Sequence, residues 1–486
     1  MLARILTLLV GGAISALLLV YFAGRIAESP DNPVAARSAA GRDWKKADIH
    51  VAVVWTKSDD AFLRGVRLKI EELRNRAGFD RQKDDQNCVG HVCIVVFDEP
   101  EDGDAEESWA LAEEIARDRT IVAVLGHRFS STAIPASVVY ERNGILFITT
   151  TASNPVVTHH GFQGVFRLGP GDDAIAREMV TFARNFKKRD TPVVSAAQDT
   201  SKEPGASKPS DVIDHETHHL NLALFYSLNP DIVSLVPQVQ ASATLGTNGQ
   251  IHLVSRFYRG TDPLEATFRR SIARIPAEDM DAILVGDEMP RAVELIRQIR
   301  ELGIVAPIIG NDNLDRSMSW TQQAASGVPN DVYVASGNEP EPQGSASDYN
   351  KFRQALAEQN RRRKADKTYV PLVPGYNVAL GYDAVNLLTG AVAQAKSFDP
   401  LAVATALHLK TFPGLFGAYR FSDTGDVQNM PVLIKHLKQD GSFETCRKPA
   451  GKNWGDPEFL GLGNACKTDV AVTDAPTNEL KREIVQ

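Results

Sequence analysis

The sequence predicts an α/β fold with parallel sheets, on three observations. Apolar runs rich in Val and Ile recur along the 486 residues. Amphipathic stretches of helical period separate them. The runs are apolar throughout rather than alternating, as strands covered on both faces must be.

In chain order, "IHVAVVW", "VCIVVFD", "IVAVLG", "GILFIT" and "TPVVSA" read as strands. Between them Ala61–Ala77, Ser108–Arg117 and Asp172–Lys188 carry apolar residues at helical spacing. The acidic "DEPEDGDAEES" lacks the alternating oxygen ligands of a calcium loop and reads as a solvated loop. Asp199–Asp214 is turn-rich and reads as a surface insertion. Alternation resumes with "IHLVSRFY", Pro263–Arg274, "DAILVG", Pro290–Leu302, "APIIG" and "DVYVAS". Tyr376–Ala393 is a core helix, with Tyr382 and Asp383 read as structural. Near the end, two strand-like runs flank "SDTGDVQN" and form a hairpin or a strand pair.

The composition is that of a globular chain: 43% hydrophobic and 23% charged. A net charge of −8 argues against nucleic acid as a partner, because such binders carry a basic footprint. From Ile5 to Ala23 no residue is charged, a run that nearly spans a bilayer core of about 30 Å. It exceeds the usual signal-peptide core of about 7–15 residues, and no A-x-A site precedes Glu28. An uncleaved inner-membrane anchor is the favoured reading, with a cleaved signal as the alternative. Either places the remainder in the periplasm or another extracytoplasmic space. The four cysteines form two local pairs, Cys88 with Cys93 and Cys446 with Cys466, which read as two disulfide-closed loops. The spacings fit no common zinc module.

Two neighbouring runs end in hydroxyl-bearing residues: Ser130, Ser131 and Thr132 after "IVAVLG", and Thr149 to Ser153 after "GILFI". In a doubly wound sheet, ligands bind beyond the carboxyl ends of the strands, where helix beginnings expose amide groups. Hydroxyls there cap the helices, and they also offer donors to an anion. Capping alone is the alternative for any one of them.

The segment "VLGHRFSSTAIPASVVYERNGILFITTTASNPVVT" resembles bacterial leucine/isoleucine/valine-binding proteins, of the type I periplasmic solute-binding family. The resemblance extends through "VFRLGPGDDAIAREM", "DAILVGDEMPRAVELIRQIRELGI", "APIIGNDN" and "GAYRFSDTGDV", and covers Asp48 to Glu444 with Asp199–Asp214 unmatched. It implies two Rossmann-like lobes joined by a three-strand hinge, closing on a ligand. The expected division is an anchor or signal at 1–27, a linker at 28–47, and a first lobe at 48–170 and 336–420. The second lobe is expected at 171–335 with the insertion at 199–214, a hinge return at 421–445, and a tail with a disulfide loop at 446–486.

The resemblance also implies roles. Ser130 falls where a serine binds the ligand carboxylate, and Ser153 where a threonine hydroxyl and its amide do the same. Thr151 stands where a carbonyl accepts from the ligand ammonium, with Ser131 and Ala152 beside these residues. Asp312 stands where a glutamate neutralises that ammonium. An amino acid or similar zwitterion fits hydroxyls and amides at one end and a carboxylate at the other. Two positions depart from the family: His218 and Glu288 (or Met289) stand where aromatic residues are usual. Their loss weakens the case for a branched aliphatic ligand.

Residues 215–219, "HETHH", match the H-E-x-x-H of zinc peptidases, through His215, Glu216 and His219. The stretch before it contains Pro209 rather than an apolar helix, and no further histidine follows at the required spacing. There is no G-x-x-x-x-G-K-[ST], no G-x-S-x-G and no G-x-G-x-x-G after a strand. The expectation is therefore a binding protein with no catalytic residues, metal or cofactor. It would capture an amino-acid-like solute for the membrane permease of an ABC importer. A membrane-anchored sensory module of the same fold is the alternative, and a zinc hydrolase the third reading.

Overall fold

The computed structural model describes residues 32–57, 61–77, 87–187, 220–245, 251–258, 280–315, 320, 327–337, 346–364, 371, 375–428 and 430–446. They fall into two compact units, one drawn from within Met1–Gly171 and Gly337–Pro431, the other from within Asp172–Ser336 and Val432–Gln486. The return to the second unit comes at Val432 rather than at 421.

The first unit opens with helix α1 (Pro33–Arg42), which corrects the expected linker. Asn32 caps it, accepting from the Val34 amide at 3.0 Å, and Pro33 takes the first helical position, where its missing N–H costs nothing. The buried Arg37 guanidinium then donates to the carbonyls of Ala116, Asp118, Ile121 and Asn143. A polar stretch reads as solvated, but here its arginine satisfies carbonyls at the ends of other elements.

Strand β1 (Ile49–Trp55), helix α2 (Ala61–Ala77), the short β2 (Cys88–Val89) and β3 (Val92–Asp98) follow, then α3 (Ala105–Arg117), β4 (Ile121–Gly126), α4 (Ser130–Arg142), β5 (Leu146–Thr149) and β6 (Val165–Arg167). They make a six-stranded sheet in the order β2-β3-β1-β4-β5-β6, parallel except for the β2–β3 hairpin. Cys88 and Cys93 face each other across that hairpin and are disulfide-bonded, as the sequence pairing implied. Along β1, Val51, Val53 and Trp55 join one core cluster while Ala52 and Val54 join another, so both sheet faces are covered. Helix α3 starts at Ala105 rather than Ser108 because Asp104 caps it, accepting from the Glu107 amide at 2.8 Å.

The second unit contains α5 (Asp172–Lys187), β7 (Leu220–Ser227), the single turn α6 (Pro230–Val233), α7 (Leu235–Thr244), β8 (Ile251–Tyr258), β9 (Ala282–Gly286), α8 (Arg291–Glu301), β10 (Ile308–Gly310) and β11 (Val332–Gly337). Strand β9 is again two-sided, with Ala282 and Leu284 in one cluster and Ile283 and Val285 in the other. Helices α9 (Ala346–Arg363), α10 (Tyr376–Ala395) and α11 (Pro400–Leu409), with the hairpin β12 (Phe412–Gly414) and β13 (Gly417–Tyr419), belong to the first unit. Gly65 and Gly381 let α2 and α10 meet backbone to backbone: a Cβ on Gly65 would lie 2.0 Å from the Val378 carbonyl oxygen, and one on Gly381 2.1 Å from that of Phe62. Strands β14 (Val432–Leu437) and β15 (Phe443–Cys446) pair antiparallel at one edge of the second unit's seven-stranded sheet. The longer hairpin therefore turns after Leu437, while across "SDTGDVQN" the described backbone pairs through the bridge Phe421–Val427 and the Gln428 amide to the Arg420 carbonyl at 2.7 Å.

Six expectations lie outside the described residues: the 1–27 segment, the 199–214 insertion, "TPVVSA", Pro263–Arg274, His215–His219 and Cys466. Among the described residues no helix is long and apolar enough to cross a membrane. Cys446, at the end of β15, is buried and disulfide-bonded.

Candidate functional site

Strands β4 and β5 lie side by side with Ala123 opposite Leu146 and Leu125 opposite Ile148. Their carboxyl ends feed two loops, and the hydroxyl residues cross-link those loops. Ser130 opens α4, whose N-cap, Phe129, offers no capping side chain. The buried Ser130 Oγ instead accepts from the Asn154 amide at 3.2 Å, which leaves the serine its own proton to donate. Thr151 Oγ1 donates to the Arg128 carbonyl at 2.7 Å, and Thr149 Oγ1 to the His127 carbonyl at 3.4 Å. Asn154 caps the 3₁₀ turn Pro155–Val157, accepting from the Val156 amide at 2.9 Å. Ser130, Thr151, Ala152 and Ser153 are thus brought onto two stitched loops. Ser131 lies beside the Gly103 loop: a Cβ on Gly103 would come within 2.9 Å of its Oγ. Thr150, fully buried, has no hydrogen-bond partner for Oγ1 among the described residues.

Beneath the first loop is a network that the sequence reading did not contain. Glu99, expected in a solvated loop, is buried. Its carboxylate meets His127 Nδ1 at 2.9 Å, accepts from the Arg128 amide at 2.8 Å and takes the Thr132 hydroxyl. His127 Nε2 lies 2.9 Å from Tyr140 Oη, whose own ionisation burial pushes far above the ordinary range. His127 adopts φ 33°, a left-handed conformation costly for a residue with a Cβ, and these contacts hold it there. A glutamate after a strand looks like loop in sequence; only its pairing with "GHRF" distinguishes it.

In the second unit Asp312 opens a 3₁₀ turn, Asp312–Leu314, directly after β10. The loop carrying Glu288 is its neighbour, since the Asp287 amide donates to Asn311 Oδ1 at 3.4 Å and the Asn311 amide to the Val285 carbonyl at 3.2 Å. Burial, and then the charge of Asp172, push the Asp312 carboxyl up to about 7; Asp315 adds to the effect, and the Asp312 and Asn313 amides oppose it. Asp315 is itself paired, with Lys435 Nζ at 2.6 Å and the Ser336 hydroxyl at 2.6 Å. Asp172 accepts from Ser234 Oγ at 2.5 Å. Asp287, raised by burial, is held by the Tyr258 hydroxyl. Asp312 is therefore a carboxyl in negative surroundings, whose ionised form calls for a cation. His218 lies outside the described residues. Among those residues no group of three or more His, Cys, Asp or Glu side chains is arranged to hold a metal ion.

The family model for periplasmic binding proteins matches residues 57–442, most of the chain. The chain is a member of the periplasmic binding protein family. Its relatives include the leucine-specific-binding protein of Salmonella typhimurium, 24% identical over 401 residues, covering 81% of this chain and 92% of that protein. The Leu/Ile/Val-binding protein BraC3 of Rhizobium johnstonii is 25% identical over 381 residues, covering 77% and 86%. In structure, this periplasmic binding protein is similar to a leucine-binding protein from Thermotoga maritima, with a TM-score of 0.61 at 20% identity, covering 82% of this chain and 97% of that one. An ABC transporter substrate-binding protein from Desulfitobacterium hafniense, solved in complex with Leu, gives 0.58 at 24% identity, covering 82% and 99%. These likenesses show the α/β fold with parallel sheets.

Proposed function

We propose that this periplasmic binding protein captures an amino acid or a similar zwitterion for an ABC importer. The ligand carboxylate is received by the Ser130 hydroxyl and by Ser153 with its amide, and the ammonium by Asp312. The Asp312 environment carries this reading most strongly. A half-buried carboxyl pushed to about 7 by desolvation and by Asp172 gains most from a fixed cation of the right size, and the ammonium of an amino acid supplies one. Binding is then linked to proton release. Solute-binding relatives favour import as the downstream step, and the uncharged run from Ile5 to Ala23, read as an anchor or a cleaved signal, is consistent with it.

The linkage gives the test. Only ionised Asp312 pairs with an ammonium, so affinity falls as pH drops through about 7. The loss is about tenfold from pH 8 to pH 6, the change in ionised fraction of one such group. Titration calorimetry across the L-amino acids at both pH values measures it. Asp312→Asn binds the best amino acid weakly and without this pH dependence; undiminished binding by that variant removes Asp312 from the site.

A further inference from the structure

Arg167, in β6, is buried and belongs to none of the groups assigned above. Its Nη1 donates to three successive carbonyls, those of Ala152 (3.4 Å), Ser153 (2.6 Å) and Asn154 (3.0 Å). Its Nη2 pairs with Asp426 Oδ1 at 2.5 Å. Asp426 is a hub in its own right, meeting Thr158 Oγ1 at 2.8 Å, His159 Nε2 at 3.1 Å and Thr424 Oγ1 at 3.3 Å. The backbones are joined as well: the Arg167 amide donates to the Gly425 carbonyl at 2.9 Å, and the Val427 amide to the Arg167 carbonyl at 3.2 Å. Gly425 permits this approach, since a Cβ there would lie 2.0 Å from the Val165 carbonyl oxygen.

We infer that Arg167, locked by Asp426, is a positioning residue for the carboxylate end of the ligand; this rests on the reading above. In a trans peptide the N–H points opposite to the C=O of the preceding residue. Turning the carbonyls of Ala152 and Ser153 onto Arg167 therefore sends the amides of Ser153 and Asn154 the other way. The structure shows the result at Asn154, whose amide reaches Ser130 Oγ at 3.2 Å. The guanidinium thus aims two amides and, through Ser130, one hydroxyl proton at the same side of the loop. Its fork is suited to this task, since one planar group serves carbonyls on one arm and a carboxylate on the other. Because Asp426 balances its charge, Arg167 acts through geometry rather than as a long-range attractor of anions.

The test uses Arg167→Lys and Asp426→Asn in the full chain, with Ser130→Ala as a control. Hydrogen exchange without ligand reads the positioning directly. Both clamp variants should speed exchange at the Asn154 amide at least tenfold while the β1 and β4 amides stay protected; unchanged exchange at Asn154 overturns the inference. Calorimetry then compares the tightest-binding L-amino acid with its C-terminal amide. The clamp variants should lose affinity at least tenfold for the acid and less for the amide, so that discrimination shrinks. Equal losses for both probes, with Ser130→Ala still selective against the acid, overturn the positioning role alone. If Ser130→Ala leaves acid binding untouched, the carboxylate site itself is misplaced.

Discussion

Asp383 shows how a buried acid is tolerated in the first unit. Its Oδ2 accepts from the Leu415 amide at 2.7 Å and from Tyr419 Oη at 2.9 Å, tying α10 to the β12–β13 hairpin. Burial raises the carboxyl to about 7, against the pull of those two donors and of Lys69. Since the folded value lies above the unfolded one, the folded state holds a proton that the unfolded chain has lost. Stability from this group is therefore complete at acid pH and fades as pH rises through about 7. Asp312 acts with the same sign in the ligand-free protein. Asp383→Asn mimics the neutral acid, so its melting temperature should fall less between pH 5 and pH 8 than that of the parent. A fall as steep as the parent's would mean that Asp383 is ionised throughout. Tyr382 is structural too, its hydroxyl shared between Glu72 and the buried Lys69.

Among the elements, α1 has the most specific dependence on one side chain. Arg37 donates at 2.5–3.0 Å to carbonyls that end α3, start β4 and follow α4, where unsatisfied oxygens collect. Burial lowers its ionisation to about 10, which keeps it cationic at neutral pH. Arg37→Met removes the guanidinium donor from those oxygens, of which that of Asp118 keeps the Ile121 amide at 3.3 Å, at a cost of about 3 kcal/mol. Scanning calorimetry should register a melting temperature about 6 °C lower or more; an unchanged value would mean that α1 is dispensable. The parallel strands were legible from their apolar runs, because two-sided burial leaves a local signature in composition. Neither α1 nor the Glu99–His127 pair was legible, since each depends on a polar side chain finding partners far along the chain. Arg167 is the same case: an arginine closing "VFR" has nothing local to mark the three carbonyls and Asp426 that it meets.

At the scale of the molecule, two units each present loops at the carboxyl ends of parallel strands, and the two sets of loops differ in charge logic. The first offers a hydroxyl and amides ordered by Arg167; the second offers a carboxyl raised to about 7 by desolvation first and then by Asp172 and Asp315. Ser130, Ser153 and Asp312 are proposed through the family resemblance of the segments that carry them, and their roles stay a proposal. The Ser131 hydroxyl lies by the Gly103 loop, where a Cβ on that glycine would come within 2.9 Å of it. Ligand identity was not written in these residues, since in the proposed reading they address only the zwitterionic head shared by all amino acids. The decisive measurement is calorimetric titration at pH 8 of the best L-amino acid beside its C-terminal amide and its N-acetyl derivative. Loss of either charge should reduce affinity by a factor of about ten or more, given about 1.5–3 kcal/mol for each hydrogen bond to a charged group. Binding of the amide and the N-acetyl derivative as tightly as the parent amino acid would contradict recognition of both poles.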